Sequence, residues 1–482
     1  MFGFWKDIPV LGSFSLAIIV LVGSGIYFTL RLGFVQIRQF MTGVRTLATR
    51  RSIHTGISPL AAFLLSTAMR VGPGNMIGVT GAIAAGGPGA LFWMWISAFF
   101  GMATAFTEGT LAQIFKEKRG DNFVGGLPFY ARRLCGNKAW VGVALSALYI
   151  FYALMCLPAQ GLNVITSLGS IVGLVGGEEI PLQSTFYYVM SILLLVFITF
   201  MAFGGIKRIS RWADILVPVM AVIYIGTAIL LILTNLGSVP YFFHAVFAGA
   251  FKPEAVFGGV LGTALLQGVK RGLMSNEAGQ GTITMAAASA EAHHPCEQGI
   301  ISALGVFLDT HVICTMTGFI IIMAHQCVLN PEEWKAAGTY PKFLLSIHAL
   351  TPDLLQTFVM VMVSICFCLF AYTCVMGFVT FSEISGNRIS SSTSFITVLR
   401  LLCVFVTAFG IACSIAGYDL SNLWAFSDLA NIIMVYCNVP MLYLGFRYVR
   451  KAAAHYAKND GTPFTSETIG MKVDYWDERK DD

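Results

Sequence analysis

The sequence predicts an all-α polytopic membrane protein of about eleven transmembrane helices, and three observations carry that prediction. Apolar residues dominate, basic residues alternate between the loops, and two apolar segments are interrupted by Pro, Gly and polar side chains. Of the 482 residues, 56% are hydrophobic and 11% charged, and the mean hydropathy is +0.74. A soluble chain carries about 25% charged residues, so a soluble enzyme, a disordered scaffold and a nucleic-acid binder are poor readings. At about 20 apolar residues per span plus short loops, the length suits roughly ten to twelve helices. The 11 cysteines include no CxxC pair, and Cys366, Cys368, Cys403 and Cys413 lie in apolar runs. That usage fits reduced thiols in helices, not a disulfide or metal framework.

Hydropathy blocks bounded by charge or Gly/Pro clusters place spans at 14–33, 57–85, 88–113, 139–157, 183–204 and 211–235. Five more follow at 256–282, 300–326, 354–381, 396–415 and 422–446. The Gly-rich run 160–176 reads as an extension or a re-entrant piece. The chain thus divides into an N-terminal helix with a basic loop (1–56), two five-span blocks (57–235 and 256–446) and a polar tail (447–482).

Lys and Arg near span ends mark the cytoplasmic side. They gather after the first span (Arg38, Arg45, Arg50, Arg51) and after the third (Lys116, Lys118, Arg119, Arg132, Arg133, Lys138). They gather again after the fifth (Lys207, Arg208, Arg211) and the last (Arg447, Arg450, Lys451), while Glu178, Glu179 and Asp419 occupy intervening loops. The alternation puts the N-terminus outside and the C-terminus inside an inner (plasma) membrane; only 283–299, with Glu291 and Glu297, departs from it. The first span is expected to be an uncleaved anchor, because no small-residue cleavage site follows a basic start. The tail 452–482, with Asp460, Asp474, Asp477, Asp481 and Asp482 among lysines, reads as solvated.

Two segments are unlike ordinary spans. In the second span, Arg70, Gly72, Pro73, Gly74 and Asn75 stand mid-segment. Proline removes a backbone donor and the flanking glycines tolerate non-helical angles, so the helix unwinds there. Unwound backbone at membrane depth belongs where it lines a cavity or is buried in protein. Its freed N–H groups suit a carboxylate and its freed carbonyls a cation; a packing kink is the plain alternative. In the seventh span, Gln267, Lys270, Arg271, Ser275, Asn276 and Glu277 crowd the inner half. Lys270, Arg271 and Glu277 read as a structural set that snorkels or pairs, leaving Gln267, Ser275 and Asn276 as the candidate ligands. These segments lie about 200 residues apart, each opening a five-span block and running in opposite directions, as in an inverted repeat with a midplane site.

Glu108, Asp214 and Asp309 are isolated acids, each either a proton or cation relay or the partner of an interface Arg or Lys. His311 neighbours Asp309, but adjacent helical residues point about 100° apart. No Walker motif, metal-ligand spacing or Ser/His/Asp arrangement supports an enzyme.

The stretch RVGPGNMIGVTGAIAAGGPGALFWMWISAFFGMATAFTEGTLAQ at 70–113 resembles the alanine or glycine:cation symporter family. So do RLGFVQIRQF at 31–40, GVKRGLMSNEAGQGT at 268–282 and HPCEQGIISALGVFLDTHVICT at 294–315, with a match that fades after about 320. The resemblance implies a leucine-transporter-like 5+5 inverted repeat with one extra N-terminal helix. It also implies Na⁺-coupled, in some members H⁺-coupled, uptake of a small neutral amino acid, with no other cofactor. Carried over, Gly72, Pro73, Gly74 and Asn75 fall on the unwound substrate-facing turn. Thr373, Cys374, Phe378 and Ser382 fall on the pocket-lining positions of the ninth span, beside the usual acid, Glu383. Gly72 and Asn75, with carbonyls freed at the break, and the Thr373 hydroxyl are the candidate Na⁺ ligands. The chain departs from the family pattern at Pro73 (usually Thr), Cys374 (Thr), Phe378 (Trp) and Ser382 (Gly), at QGTIT after SNEAG and at GGLPFY.

The expectation is therefore a sodium-coupled symporter importing a small neutral amino acid, alanine- or glycine-like, by alternating access. The alternatives are proton coupling or another amino acid on the same fold, and a non-concentrative channel or receptor.

Overall fold

The computed structural model describes residues 16–49, 54–178, 180–252, 263–325, 331–418, 421–458 and 461–478. Arg50, Arg51, Glu179, Asp419, Asp460, Asp481, Asp482 and the opening of the seventh expected span, 256–262, lie outside the described residues.

Among the described residues, eight helices are long and apolar enough to cross a membrane. They are Gly89–Ile114, Ala139–Gly176, Thr185–Ala202, Gly205–Thr234, Pro295–Ala324, Asp353–Ile389, Thr393–Ile415 and Asp428–Lys458. The first expected span is the 16-residue helix Leu16–Arg31. The two interrupted segments are pairs of half-helices, Pro59–Arg70 with Val79–Gly86 and Thr263–Asn276 with Thr284–Ser289.

The elements recur in one order. An interrupted helix, a long helix, a short helix and three more long helices make the first set, with Leu127–Leu134 as the short one. The same order follows from Thr263, with Thr339–Leu350 as the short helix. Among the described residues the cysteines form no disulfide.

Packing sorts the helices into two groups. Gly89–Ile114 packs on Pro295–Val306 and Thr263–Asn276, while Ala139–Gly176 packs on Gln356–Ile389 and Thr393–Ile415. A large apolar core holds the second group together, with Tyr149, Leu157, Ile165, Ile198, Phe381 and Ile411 all fully or almost fully buried.

Two sequence readings change here. The run 160–176 continues the helix that starts at Ala139, so the expected end at 157 is too early and no re-entrant piece forms. Its glycines serve close packing: a Cβ at Gly161 would collide with Thr407 and Ile411, and one at Gly169 with Tyr187. The tail is docked rather than solvated. Phe464, Ile469, Val473 and Trp476 are buried, and the Trp476 indole donates to the Gln113 carbonyl at 2.9 Å. Lys116 Nζ lies 3.9 Å from the Phe123 ring centre and 4.4 Å from that of Tyr475.

Candidate functional site

The first interruption follows from its chemistry. Ser58 caps Pro59–Arg70, accepting the Ala61 N–H at 3.0 Å, with Pro59 in the first turn. Val71 leaves the helix with ψ 89°, two residues before Pro73, which offers no N–H to continue the ladder and disfavours helical angles at Gly72. The chain resumes as a π-turn, Gly74–Gly78. Asn75 repairs the break: its Oδ1 accepts the freed Gly72 N–H at 3.0 Å. Its Nδ2 faces Asp309 Oδ1 at 2.6 Å, Ser275 Oγ at 3.2 Å and Cys314 Sγ at 3.4 Å. Its carbonyl accepts Thr317 Oγ1 at 2.8 Å. One side chain thus joins both interrupted helices and Pro295–Ala324.

The second interruption runs from Glu277 to Ile283. Gly279 and Gly281 have φ of +87° and +80°, which a side chain would strain. Their N–H groups turn onto the buried Glu108 carboxylate, each at 2.9 Å, and Asn438 donates to it at 2.6 Å. Tyr130 in turn donates to Asn438. The buried Arg70 donates through Nε to the Asn276 carbonyl at 3.1 Å, and its Nη1 has no partner among the described residues.

A cavity of about 420 Å³ lies between these breaks. Of the candidate site residues, Gly72, Pro73, Gly74, Asn75, Ser275, Cys374 and Phe378 line it. Four expected residues do not. Gln267 packs its Cβ near Gly86, toward the far end of the first interrupted helix. Asn276 spends its side chain on Thr310 and on the Ala278 N–H. Thr373 turns its hydroxyl onto the Phe370 carbonyl of its own helix at 3.1 Å, away from Gly72 and Asn75. Ser382 is buried one turn past Phe378.

Several lining residues escaped the sequence reading. Arg271, read as structural, lies against the unwound turn so closely that a Cβ at Gly74 or Gly78 would overlap its guanidinium. Tyr152, Cys156, Gln160 and Asn163 form a stripe on one face of Ala139–Gly176, and Asp428 and Asn431 stand three residues apart on Ser421–Lys458. The i, i+4, i+8, i+11 spacing of the stripe was the available signal. Of the isolated acids, Asp309 and Glu108 bind the interruptions. Glu383 instead pairs with Arg400 at 2.8 Å. His311 stacks on Phe307 at 5.3 Å rather than pairing with Asp309.

Two broken helices enclosing a polar cavity inside a membrane-spanning bundle define a transporter, not an enzyme. The chain belongs to the sodium:alanine symporter family, whose model matches residues 7–467. Among its relatives, the amino-acid carrier protein AlsT of Bacillus subtilis is 35% identical over 91% of this chain and 89% of that protein. The probable sodium/glutamine symporter GlnT of the same organism is 36% identical over 92% of this chain and 88% of its own length. The crystal structure of MhsT in complex with L-phenylalanine superposes with a TM-score of 0.61 at 15% identity, covering 87% of this chain and 95% of that one. The last likeness is one of fold.

Proposed function

We propose that the protein is a sodium-coupled symporter that imports a small neutral amino acid across the plasma membrane, with its N-terminus outside and its C-terminus in the cytoplasm. The observation that supports this reading is the meeting of both interrupted helices at one cavity through Asn75, 3.2 Å from Ser275. Within the unwound turn Asn75 takes the Gly72 N–H and returns its own to the Gly72 carbonyl, so Gly74 is the backbone donor left for the substrate carboxylate, and carbonyls of the same turn suit Na⁺. The family's description as sodium:alanine symporters supports the cation and the substrate type. The two packing groups rock against each other and open the cavity to one side at a time.

Uptake of labelled amino acids into proteoliposomes, with and without an inward Na⁺ gradient, tests this. Accumulation that requires the gradient is expected. Asn75→Ala should insert normally and lose coupled uptake, because Asn75 ties three elements together. Unchanged kinetics and Na⁺ dependence in that variant would sink the assignment. Proton coupling is the second reading, favoured by the contact of Asp309 with Asn75 at 2.6 Å. It predicts concentrative uptake in Na⁺-free buffer under an imposed pH gradient.

A further inference from the structure

The cavity is larger than a methyl side chain requires, and amide side chains stand in its largely apolar wall. Its volume is about 420 Å³. Its wall on Ala139–Gly176 carries Tyr152, Cys156, Gln160 and Asn163 at successive turns. Over about 16 Å, at about 1.5 Å per residue, that wall passes from a phenol through a thiol to two amides. Asn431 adds a third amide from Ser421–Lys458. Gln160 Oε1 and Asn431 Oδ1 are buried and accept no hydrogen bond from the described residues. The Gln160 side chain is itself almost enclosed, at 8% exposure. Unpaired amide oxygens in such a place favour a ligand that brings N–H donors over one that brings only a methyl group. Charge narrows the class further. Arg70 and Arg271 on the wall are matched by Glu277 and Asp428, with Asp309 one hydrogen bond behind at Asn75, so no surplus positive charge calls for an acidic side chain.

We infer that the preferred substrate is a neutral amino acid with a carboxamide side chain, the glutamine and asparagine class, rather than alanine or glycine. A carboxamide offers two N–H donors and one acceptor, which complements the two orphan oxygens and the N–H groups of the lining amides. Its zwitterionic end occupies the unwound turn near Gly72–Asn75, and its side chain extends toward the amide-bearing wall. This inference rests on the reading that the cavity carries an amino acid.

The test is uptake of labelled glutamine, asparagine, alanine, leucine and glutamate by the purified full chain in proteoliposomes under an inward Na⁺ gradient and, separately, a pH gradient. Glutamine or asparagine is expected to be taken up with an efficiency at least about tenfold above that of alanine. Asn431→Leu is expected to lower amide uptake so that the amide-to-alanine ratio falls about tenfold; Asn163→Leu serves if the first variant fails to insert. Accumulation of alanine, leucine or glutamate in preference to both amides overturns the inference and leaves the symporter reading intact. An unaltered ratio in the inserted variant also overturns it. Failure to accumulate any amino acid under either gradient brings down the symporter reading itself.

Discussion

At the residue scale, the site is held by side chains that repair broken backbone. Glu108 is the clearest case: a buried carboxylate receives two helix-break N–H groups and one amide, in place of the Arg or Lys partner that its isolation in sequence suggested. Glu108→Ala would leave the Gly279 and Gly281 N–H groups without that acceptor, at about 1–3 kcal/mol for each unpaired group. A lowered midpoint of thermal unfolding in detergent is the expected result. Space is as restrictive as bonding beside Arg271. Gly78→Ala would drive a Cβ into the guanidinium, whereas a Cβ at Gly226 meets nothing within 4 Å. The guanidinium is the end of a long side chain and would shift off the unwound turn, so Gly78→Ala should weaken uptake while Gly226→Ala keeps it at equal expression.

At the element scale, the docked tail ties separate helices together. Trp476 reaches Gln113 at the end of Gly89–Ile114, and His294, which caps Pro295–Val306, stacks on His455 with ring centres 5.4 Å apart. Burial, aided by the neighbouring His455, pushes the His294 ring down to about 3. A free histidine titrates near 6.5, so the undocked state binds a proton that the docked state refuses. Docking is therefore strongest above about pH 6.5 and weakens as the pH falls toward 3, by up to about 1.4 kcal/mol per unit. Limited proteolysis of 461–478 should accelerate between pH 7 and pH 5, and His294→Phe should flatten that dependence. Equal cleavage rates at the two pH values in the unmodified chain would refute it.

The same scale shows what could be read in advance. Pro73 with its glycines, and the cluster from Gln267 to Glu277, marked both interruptions, because backbone chemistry is local and leaves a local trace. The docked tail left none. Its buried residues, Phe464, Ile469, Val473 and Trp476, are too sparse to form a periodic face, and some of their partners, such as Gln113, lie hundreds of positions earlier. Gln160 and Asn163 were hidden for a related reason: the stripe has helical spacing, but which face meets the cavity depends on how Gln356–Ile389 packs. Thr373 shows the converse, since a residue on the right helix turns its hydroxyl back onto that helix.

At the scale of the whole molecule, the bonding differs between the two packing groups in a way that suits relative motion. The interrupted helices, Gly89–Ile114 and Pro295–Ala324 are joined by directional polar contacts through Asn75, Glu108 and Arg70. The other group meets largely through apolar side chains around Tyr149, Phe378 and Ile411. Across the seam, Cys374 approaches the backbone carbonyls of Ala68 and Met69 only weakly, at 3.8 and 3.6 Å. For one group to tilt on the other, these weak contacts and the Arg388–Glu117 ion pair at 3.7 Å must give way, while polar ties keep the first group rigid. Cys374 is then a native reporter on the cavity wall. A methanethiosulfonate reagent should block uptake through it, and Cys374→Ser, with Cys156 also replaced, should remove that sensitivity. Saturating substrate should slow the modification several-fold (about three- to tenfold), because occlusion both fills the cavity and draws the groups together. A modification rate unchanged by substrate, in a preparation that still transports, would mean that the path of the amino acid does not pass this wall.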